Sequence, residues 1–174
     1  MDDEIVDIVD ERDNIIGENL KSECHKKGLW HRAASIFVFN KEGKLLIQKR
    51  APNMPLSNLF CSSASGHLQK GDSYESGAKR ELKEELGIDC QLRFIGKFTM
   101  DVQYFNGLID REHFTLFFCN YDGEFKIQKE ELSFIKFFSI DTIKQMLNKN
   151  NKQFTLGFQQ EFQHYLNFIN NGSF

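Results

Sequence analysis

Apolar residues alternate with polar or small residues in several short stretches, and this pattern predicts β-strands. The first stretch covers residues 4–10, and a polar turn at residues 11–14 leads to a return strand at residues 15–17. A second hairpin is predicted from residues 31–40 and 45–50, because Asn40-Lys41-Glu42-Gly43 between them is typical of a turn.

Further strands and three helices follow from the same pattern. The remaining strands are predicted at residues 59–65, 91–103, 111–120 and 135–139. Helices are predicted at residues 20–27, 142–147 (with Asp141 as the cap) and 159–169. Strands interspersed with helices, joined by both hairpins and crossovers, favour an α/β fold with a mixed sheet. A length of 174 residues is typical of one domain.

Residues 66–88 read GHLQKGDSYESGAKRELKEELGI and predict a loop that leads into a helix. Positions three and four apart share a helix face, so Glu81, Glu84 and Glu85 fall within an arc of about 100°. Carboxylates at this spacing repel one another unless a cation lies among them. A divalent ion such as Mg²⁺ prefers oxygen ligands, so the spacing indicates a metal site, although a solvated acidic face is the alternative.

The flanks of this helix favour an ordered, packed element. Asp72 and Glu75 have the spacing of a capping box, and Gly87 is suited to end the helix. An apolar stripe runs beside the acidic face and comprises Tyr74, Ala78, Leu82 and Leu86.

The whole stretch resembles the Nudix box: Gly, five residues, Glu, seven residues, then Arg-Glu-U-x-Glu-Glu-x-Gly-U, where U is bulky and aliphatic. Eight of the nine fixed positions match, namely Gly66, Arg80, Glu81, Leu82, Glu84, Glu85, Gly87 and Ile88. Position 72 differs from the box, because Asp72 stands where the box has its first Glu. The resemblance implies one Nudix-type α/β/α sandwich over residues 1–174, with residues 1–30 as an N-terminal hairpin and short helix.

Outside the box, the segments DIVDERDNIIG, HKKGLWHRAASIFVFNKEGKLLIQKR and SGH resemble the Nudix branch of isopentenyl diphosphate isomerases and similar hydrolases. By this resemblance, His25, His31, His67 and Glu112 match the ligands of a second divalent metal, with Asp110 nearby. Histidine and carboxylate ligands suit Mn²⁺, Zn²⁺ or Fe²⁺. The alternative is that these histidines have only structural roles.

Ser65 decides between the two activities in this branch. The isomerases use a cysteine before the Gly-His pair to move a proton on carbon, and this chain has Ser65 there. A serine hydroxyl is a much weaker acid than a thiol, so we expect a hydrolase and disfavour isopentenyl diphosphate isomerase. A third class, a non-catalytic Nudix-fold ligand sensor, is disfavoured by the full set of Glu81, Glu84 and Glu85.

The resemblance also implies residue roles in hydrolysis of a phosphoanhydride in a nucleoside diphosphate linked to another group. Glu81, Glu84 and Glu85 are expected to bind Mg²⁺ (or Mn²⁺), together with the backbone carbonyl of Ser65. The expected catalytic acids are Glu81, Glu85 and Glu131, and the general base stays open between Glu81 and Glu131.

Two basic residues, Lys49 and Arg50, end a predicted strand near the expected cleft. They are candidates for binding substrate phosphates, and ordinary solvated strand-end charges are the alternative. The residues that would select the substrate are expected in the loops at residues 53–58 and 101–110, and the pattern does not name that substrate.

Composition limits the partners and the compartment. The net charge of −3 argues against nucleic-acid binding, so a small-molecule phosphoanhydride is the expected partner. Cys24, Cys61, Cys90 and Cys119 form no C-x-x-C pair and no zinc pattern. Without a signal-peptide pattern or an apolar run of membrane length, we expect no membrane partner, reduced thiols and a cytoplasmic protein, either monomeric or homodimeric.

Overall fold

The computed structural model describes residues 3–104 and 106–172. The nine strands in these residues are β1 (Ile5–Val9), β2 (Ile15–Leu20), β3 (His31–Phe39), β4 (Leu45–Arg50), β5 (Phe60–Cys61), β6 (Ala64–His67), β7 (Arg93–Gln103), β8 (Ile109–Asn120) and β9 (Leu132–Phe138). The four α-helices are α1 (Lys21–Lys27), α2 (Tyr74–Leu86), α3 (Ile140–Lys149) and α4 (Leu156–Asn170), and a 3₁₀ turn at Asn151–Gln153 precedes α4.

The main sheet has seven strands and is mixed, as predicted. Its order is β5-β4-β3-β8-β7, with β6 paired to β3 and β9 paired to β4. Strands β3 and β8 run parallel, and the other pairs are antiparallel. The hairpin strands β3 and β4 pair only at Phe39 and Leu45. Beyond that point they diverge, and the segment that contains β5 and β6 fills the space between them.

The two faces of the sheet carry separate apolar cores. Side chains alternate along a strand, so Ile36 and Val38 of β3 pack with α2, whereas Phe37 and Phe39 pack with α3 and α4. Both clusters are nearly inaccessible to solvent, because helices cover the sheet on both sides. This layering confirms the α/β/α sandwich, and it fixes α2 against the end of the sheet where β6 lies.

The N-terminal hairpin forms its own two-stranded sheet and holds the loop that precedes α2. Asp7 accepts a hydrogen bond from the Gly71 amide at 3.0 Å. Asp13 accepts from Arg32 Nε at 2.5 Å and from the Tyr74 hydroxyl at 3.1 Å. The hairpin and α1 agree with the elements predicted at residues 4–27, and their contacts explain how an N-terminal segment supports the acidic helix.

Three predicted details of the elements are wrong. Ser73, not Asp72, caps α2, since its hydroxyl accepts from the Ser76 amide and Ser76 completes the capping box. Ser139, not Asp141, caps α3. The single strand predicted at residues 59–65 is two strands with different partners, because the chain passes there from β4 to β3.

The cysteines also differ from the prediction of reduced thiols. Cys90 and Cys119 form a disulfide, with 6.4 Å between their Cα atoms, whereas Cys24 and Cys61 are free and buried. The two cysteines are 29 residues apart in the sequence, so no local pattern predicts this disulfide. They meet because the segment after α2 returns beside β8. Among the described residues, no helix has the length and apolar character needed to cross a bilayer.

Candidate active site

The acidic face of α2 lies against β6. The apolar stripe beside the acidic face packs in the core, as predicted, through Ala78, Leu82 and Leu86. Gly87 ends the helix at a φ of 67°. Glu81 and Glu85 are consequently buried between α2 and the sheet. The three box glutamates therefore differ in environment, since Glu84 lies at the surface.

Glu81 fits against Gly66 because glycine has no side chain. A Cβ at Gly66 would lie 2.2 Å from the carboxyl carbon of Glu81. On its other side, Glu81 accepts a hydrogen bond from Arg80 Nη1 at 2.7 Å. Burial raises the pKa of Glu81 to about 7, although the Arg80 guanidinium opposes the rise. This carboxyl is poised to change its protonation state near neutral pH.

Glu85 is the most enclosed of the three carboxyl groups. Its Oε2 accepts from Gln48 Nε2 at 2.9 Å, and its Oε1 accepts from the Ser65 amide at 3.4 Å. Burial raises its pKa well above the usual value, and the charges of Glu81 and Glu131 add to the rise. Ser65 thus contacts the acidic helix through its backbone amide.

Arg80 is the cation that holds this face together. Its Nη1 also donates to Glu84 at 3.3 Å, and its Nη2 donates to the His67 carbonyl at 2.8 Å and to Asp72 at 3.3 Å. Asp72 therefore braces Arg80 and the loop and does not cap the helix. One cation among several carboxylates leaves the face with an excess of negative charge.

Glu131 and Arg50 approach the same face from the sheet. Glu131 is half-buried and accepts from Gln128 Nε2 at 3.1 Å. Burial and the charge of Glu84 raise the pKa of Glu131, although the Arg50 guanidinium opposes the rise. Arg50 Nε donates to the Pro55 carbonyl at 2.7 Å, which connects it to the loop at residues 53–58.

Lys49 lies elsewhere, which corrects the expectation that it joins Arg50 at the phosphates. Its ammonium group lies over the rings of Phe60 and Phe134. Adjacent residues of a strand point to opposite faces, and the neighbouring Gln48 contacts Glu85 on the α2 side. Lys49 therefore points away from the acidic helix.

A second cluster of ligand atoms comprises His25, His31, His67 and Glu112. One ligand atom from each residue lies within 4.8 Å of all the others, and this group comes from α1, β3, β6 and β8. His67 Nε2 is 2.8 Å from Glu112 Oε1, and His31 Nε2 is 3.3 Å from the same oxygen. The parallel pairing of His31 with Glu112 creates this proximity.

The donor set of this cluster fits a divalent metal. His31 Nδ1 donates to the Leu29 carbonyl at 2.8 Å, which directs Nε2 into the cluster. That Nε2 atom is buried and faces Glu112 Oε1 at 3.3 Å, without a hydrogen-bond partner among the described residues. A buried imidazole nitrogen that faces a carboxylate oxygen in this way is an arrangement that a shared metal ion satisfies.

Burial and neighbouring carboxylates shift the pKa values of His67 and His25 in opposite directions. Burial lowers the pKa of His67, although Glu112 opposes the change. Burial also acts to lower the pKa of His25, but Asp110, 2.8 Å away, outweighs it and the pKa is raised. The pKa of Glu112 is lowered despite burial, because His31 and His67 stabilise its charge. The cluster therefore holds at least one neutral imidazole and one carboxylate.

Strand β6 separates the two groups. Gly66 faces Glu81 on the α2 side, so Ser65 and His67 point to the opposite side. A cavity of about 360 Å³ opens on that opposite side, and its largely apolar lining consists of Leu56, Leu59, Tyr104, Asn151, Lys152, Phe154, Leu156 and Gln159. The loops expected to select the substrate contribute Leu56 and Tyr104.

Lys21 is a charged residue of this region that the sequence did not reveal. It begins α1, pairs with Glu4 at 2.5 Å and acts to lower the pKa of Glu131 through its charge. A lysine at a helix start gives no periodic or motif signal, because its proximity to Glu131 depends on how the N-terminal hairpin packs.

Comparisons with known proteins agree with this geometry. A profile of the NUDIX domain matches residues 29–158. The chain is 37% identical over 159 residues to isopentenyl-diphosphate Delta-isomerase 2 of Photorhabdus laumondii, covering 91% of this chain and 90% of that protein. It is 34% identical over 177 residues to an uncharacterized Nudix hydrolase of Clostridium acetobutylicum, covering 95% and 85%.

The fold is also found among solved structures. The crystal structure of DR0079 from Deinococcus radiodurans superposes with a TM-score of 0.70 at 21% identity, covering 84% of this chain and 90% of that one. The profile match spans most of the chain and includes α2 with its three glutamates. The chain therefore belongs to the Nudix family.

Proposed function

We propose that the chain is a metal-dependent hydrolase that cleaves a phosphoanhydride bond in a nucleoside diphosphate linked to another group. The observation that carries this proposal is the convergence of Glu81, Glu84, Glu85 and Glu131 on one face, with Arg80 between them. Such a face favours a divalent cation and a diphosphate that shares it.

The proposed cofactor is Mg²⁺ (or Mn²⁺), held by Glu81, Glu84, Glu85 and the Ser65 carbonyl. When bound, the metal neutralises charge on the diphosphate and makes an attacking water more acidic. Glu81 or Glu131 would accept the proton of that water; burial raises the pKa of both carboxyl groups, to about 7 for Glu81. Glu85, buried and doubly hydrogen-bonded, holds its ligand oxygens in place.

Arg50 is the proposed phosphate contact, and Lys49 is not part of the proposal. The cavity of about 360 Å³ lies on the other side of β6 from the acidic face, so we assign it no part of the diphosphate substrate. We also propose a monomer or homodimer without nucleic-acid partners, in the cytoplasm. There the Cys90–Cys119 disulfide would be exceptional, because cytoplasmic thiols are kept reduced.

A second metal is proposed at His25, His31, His67 and Glu112, supported by the unpaired His31 Nε2. Binding requires neutral imidazoles, so occupancy is expected to fall below about pH 6.5. Elemental analysis of protein purified at neutral pH without chelator tests this site. Less than stoichiometric transition metal agrees with the proposal, whereas no transition metal means that the histidines are structural.

Isopentenyl diphosphate isomerase is the second candidate. The histidine cluster and the relatives of that name favour it. Ser65 disfavours it, because a serine hydroxyl does not supply the acid strength that carbon protonation needs. Cys61 does not substitute, since it is buried and burial raises its pKa to about 12. A ligand sensor is the third candidate, disfavoured by the presence of Glu81, Glu84 and Glu85.

Hydrolysis of a substrate panel tests the proposal. The panel contains nucleotide sugars, dinucleotides, ADP-ribose, coenzyme A and modified nucleoside triphosphates, each with Mg²⁺, Mn²⁺ or chelator. At least one compound should be cleaved with metal only, and Glu84→Gln should reduce turnover roughly 100-fold or more. Glu75→Gln is the matched control, because Glu75 lies on the same helix and, among the described residues, pairs with Lys79 alone. Cleavage unaffected by Glu84→Gln would refute the metal assignment.

A further inference from the structure

The place where β3 and β4 diverge depends on buried hydroxyl groups. Ser62 and Ser63 join β5 to β6 there, and both are almost completely buried. The Ser63 hydroxyl accepts from the Val38 amide at 2.8 Å and donates to the Leu46 carbonyl at 2.6 Å. One side chain thus replaces the direct hydrogen bonds that the two diverging strands have lost.

Glu161 reaches this junction from α4, on the other side of the sheet. Its Oε1 accepts from the Ser35 hydroxyl at 2.7 Å, and its Oε2 accepts from the Ser62 hydroxyl. Only 3% of Glu161 is exposed. Burial raises the pKa of Glu161, although both serine hydroxyls oppose the rise. The carboxyl therefore connects two strands of the sheet to the last helix.

A carboxyl at this position is unfavourable for packing alone. The other buried side chains of α4 are Phe158, Phe162 and Tyr165, so an apolar residue would suit the same interface. Burying a carboxyl group costs stability relative to an apolar side chain, even when it is hydrogen-bonded. Its two directed hydrogen bonds do, however, fix the relative position of Ser35 and Ser62, which apolar packing does not.

The residues fixed by Glu161 lead directly to the acidic helix. Ser35 is the pairing partner of Ser65 in the β3–β6 ladder. The Ser65 amide donates to Glu85, and the adjacent Gly66 lies against Glu81. We infer that Glu161 is a positioning residue. It holds β6 at the distance from α2 at which the β6 backbone and the α2 carboxylates bind one metal ion together. This inference rests on the proposed function.

Three variants separate positioning from ordinary stability. Glu161→Leu removes both acceptors, Glu161→Gln keeps one oxygen acceptor, and the triple variant Ser35→Ala/Ser62→Ala/Glu161→Leu also removes the two hydroxyl groups that would lose their acceptor. Gln160→Leu, at an exposed neighbouring position, is the matched control. The measurements are Mn²⁺ affinity of the metal-free protein, thermal unfolding, and kcat and KM separately. A Mn²⁺ titration of Glu84→Gln identifies the part of the binding that belongs to α2.

The inference predicts that the triple variant unfolds near the wild-type temperature but binds Mn²⁺ at α2 about tenfold more weakly, with kcat reduced more than KM is changed. Glu161→Gln should retain affinity within about threefold. Wild-type Mn²⁺ affinity in the triple variant or in Glu161→Leu would overturn the inference. If the wild type binds Mn²⁺ but hydrolyses no phosphoanhydride, the proposed function fails, while the Mn²⁺ titrations still decide the role of Glu161.

Discussion

The contact between Gly66 and Glu81 is the tightest constraint on a single residue of the site. A methyl group at position 66 would lie 2.2 Å from the Glu81 carboxyl carbon, so the buried Glu81 carboxyl must leave its position beside Arg80 to admit it. We expect Gly66→Ala to lower the free energy of unfolding by about 1–3 kcal/mol and to reduce turnover. Urea denaturation and steady-state kinetics measure these effects.

Gly96→Ala is the control for that substitution. Gly96 also lies in a strand, has no positive φ, and a Cβ there would meet no atom within 4 Å. Its stability should stay within about 0.5 kcal/mol of the wild type. Equal effects of the two substitutions would contradict the idea that Gly66 is required for contact with Glu81.

Glu81 also gives the metal-free protein a defined pH dependence. Its pKa rises from 4.5 to about 7 on folding, so the folded state binds more protons than the unfolded state between these values. The free energy of unfolding therefore falls as the pH rises through this range, by at most about 3 kcal/mol. Unfolding of wild type and Glu81→Gln in chelator, at pH 5 and pH 7.5, measures this contribution.

The direction in which the stability difference between wild type and Glu81→Gln changes with pH decides the test. The stability of the wild type relative to Glu81→Gln should decrease from pH 5 to pH 7.5, because only the wild type must then hold a buried charge. Identical pH dependence in the two proteins would mean that Glu81 keeps an ordinary pKa, and it would weaken its candidacy as the base.

At the scale of elements, the start of α2 depends on Ser73. Its hydroxyl accepts a hydrogen bond from the Ser76 amide at 3.1 Å, and the Ser76 hydroxyl accepts one from the Ser73 amide at 2.9 Å. Ser73→Ala should lower stability by about 1 kcal/mol. The effect should leave metal affinity nearly unchanged, since the hydrogen bonds of the Ser73 hydroxyl go to Ser76 and not to Glu81, Glu84 or Glu85. A larger loss of metal affinity than of stability would contradict the capping role.

The sequence predicted α2 well because its signals are local. The stripe that includes Leu82 and the stop at Gly87 lie within one helix, and both are observed. The cap was misplaced by one residue, because Asp72 and Ser73 are both competent caps and only the loop geometry selects Ser73.

Long-range features were not predictable in the same way. The split of residues 59–65 into β5 and β6 depends on hydroxyl bridges such as the bond from Ser63 to the Leu46 carbonyl, which no local pattern encodes. Similarly, His31 and Glu112 are 81 positions apart, and only the parallel β3–β8 register brings them together. That cluster was expected from a family resemblance, and the geometry of its ligand atoms required the structure.

At the scale of the whole molecule, β6 divides two groups with different chemistry. The oxygen-rich face on α2 suits Mg²⁺ and a diphosphate, whereas the histidine cluster suits a transition metal. Ser65 lies between them, with its amide directed to Glu85 and its side chain on the histidine side. The same scaffold could support proton transfer on carbon if position 65 carried a thiol, so the identity of this one residue separates the two candidate activities.

Incubation with isopentenyl diphosphate in deuterated water, with Mg²⁺ and Mn²⁺ present, tests the central claim most directly. The control is Ser65→Cys, which supplies the missing thiol and should gain trace isomerisation. For the wild type, we predict no deuterium-labelled allylic diphosphate, because no acid of suitable strength occupies position 65. Labelled allylic product formed by the wild type at an enzymatic rate would contradict the assignment as a hydrolase.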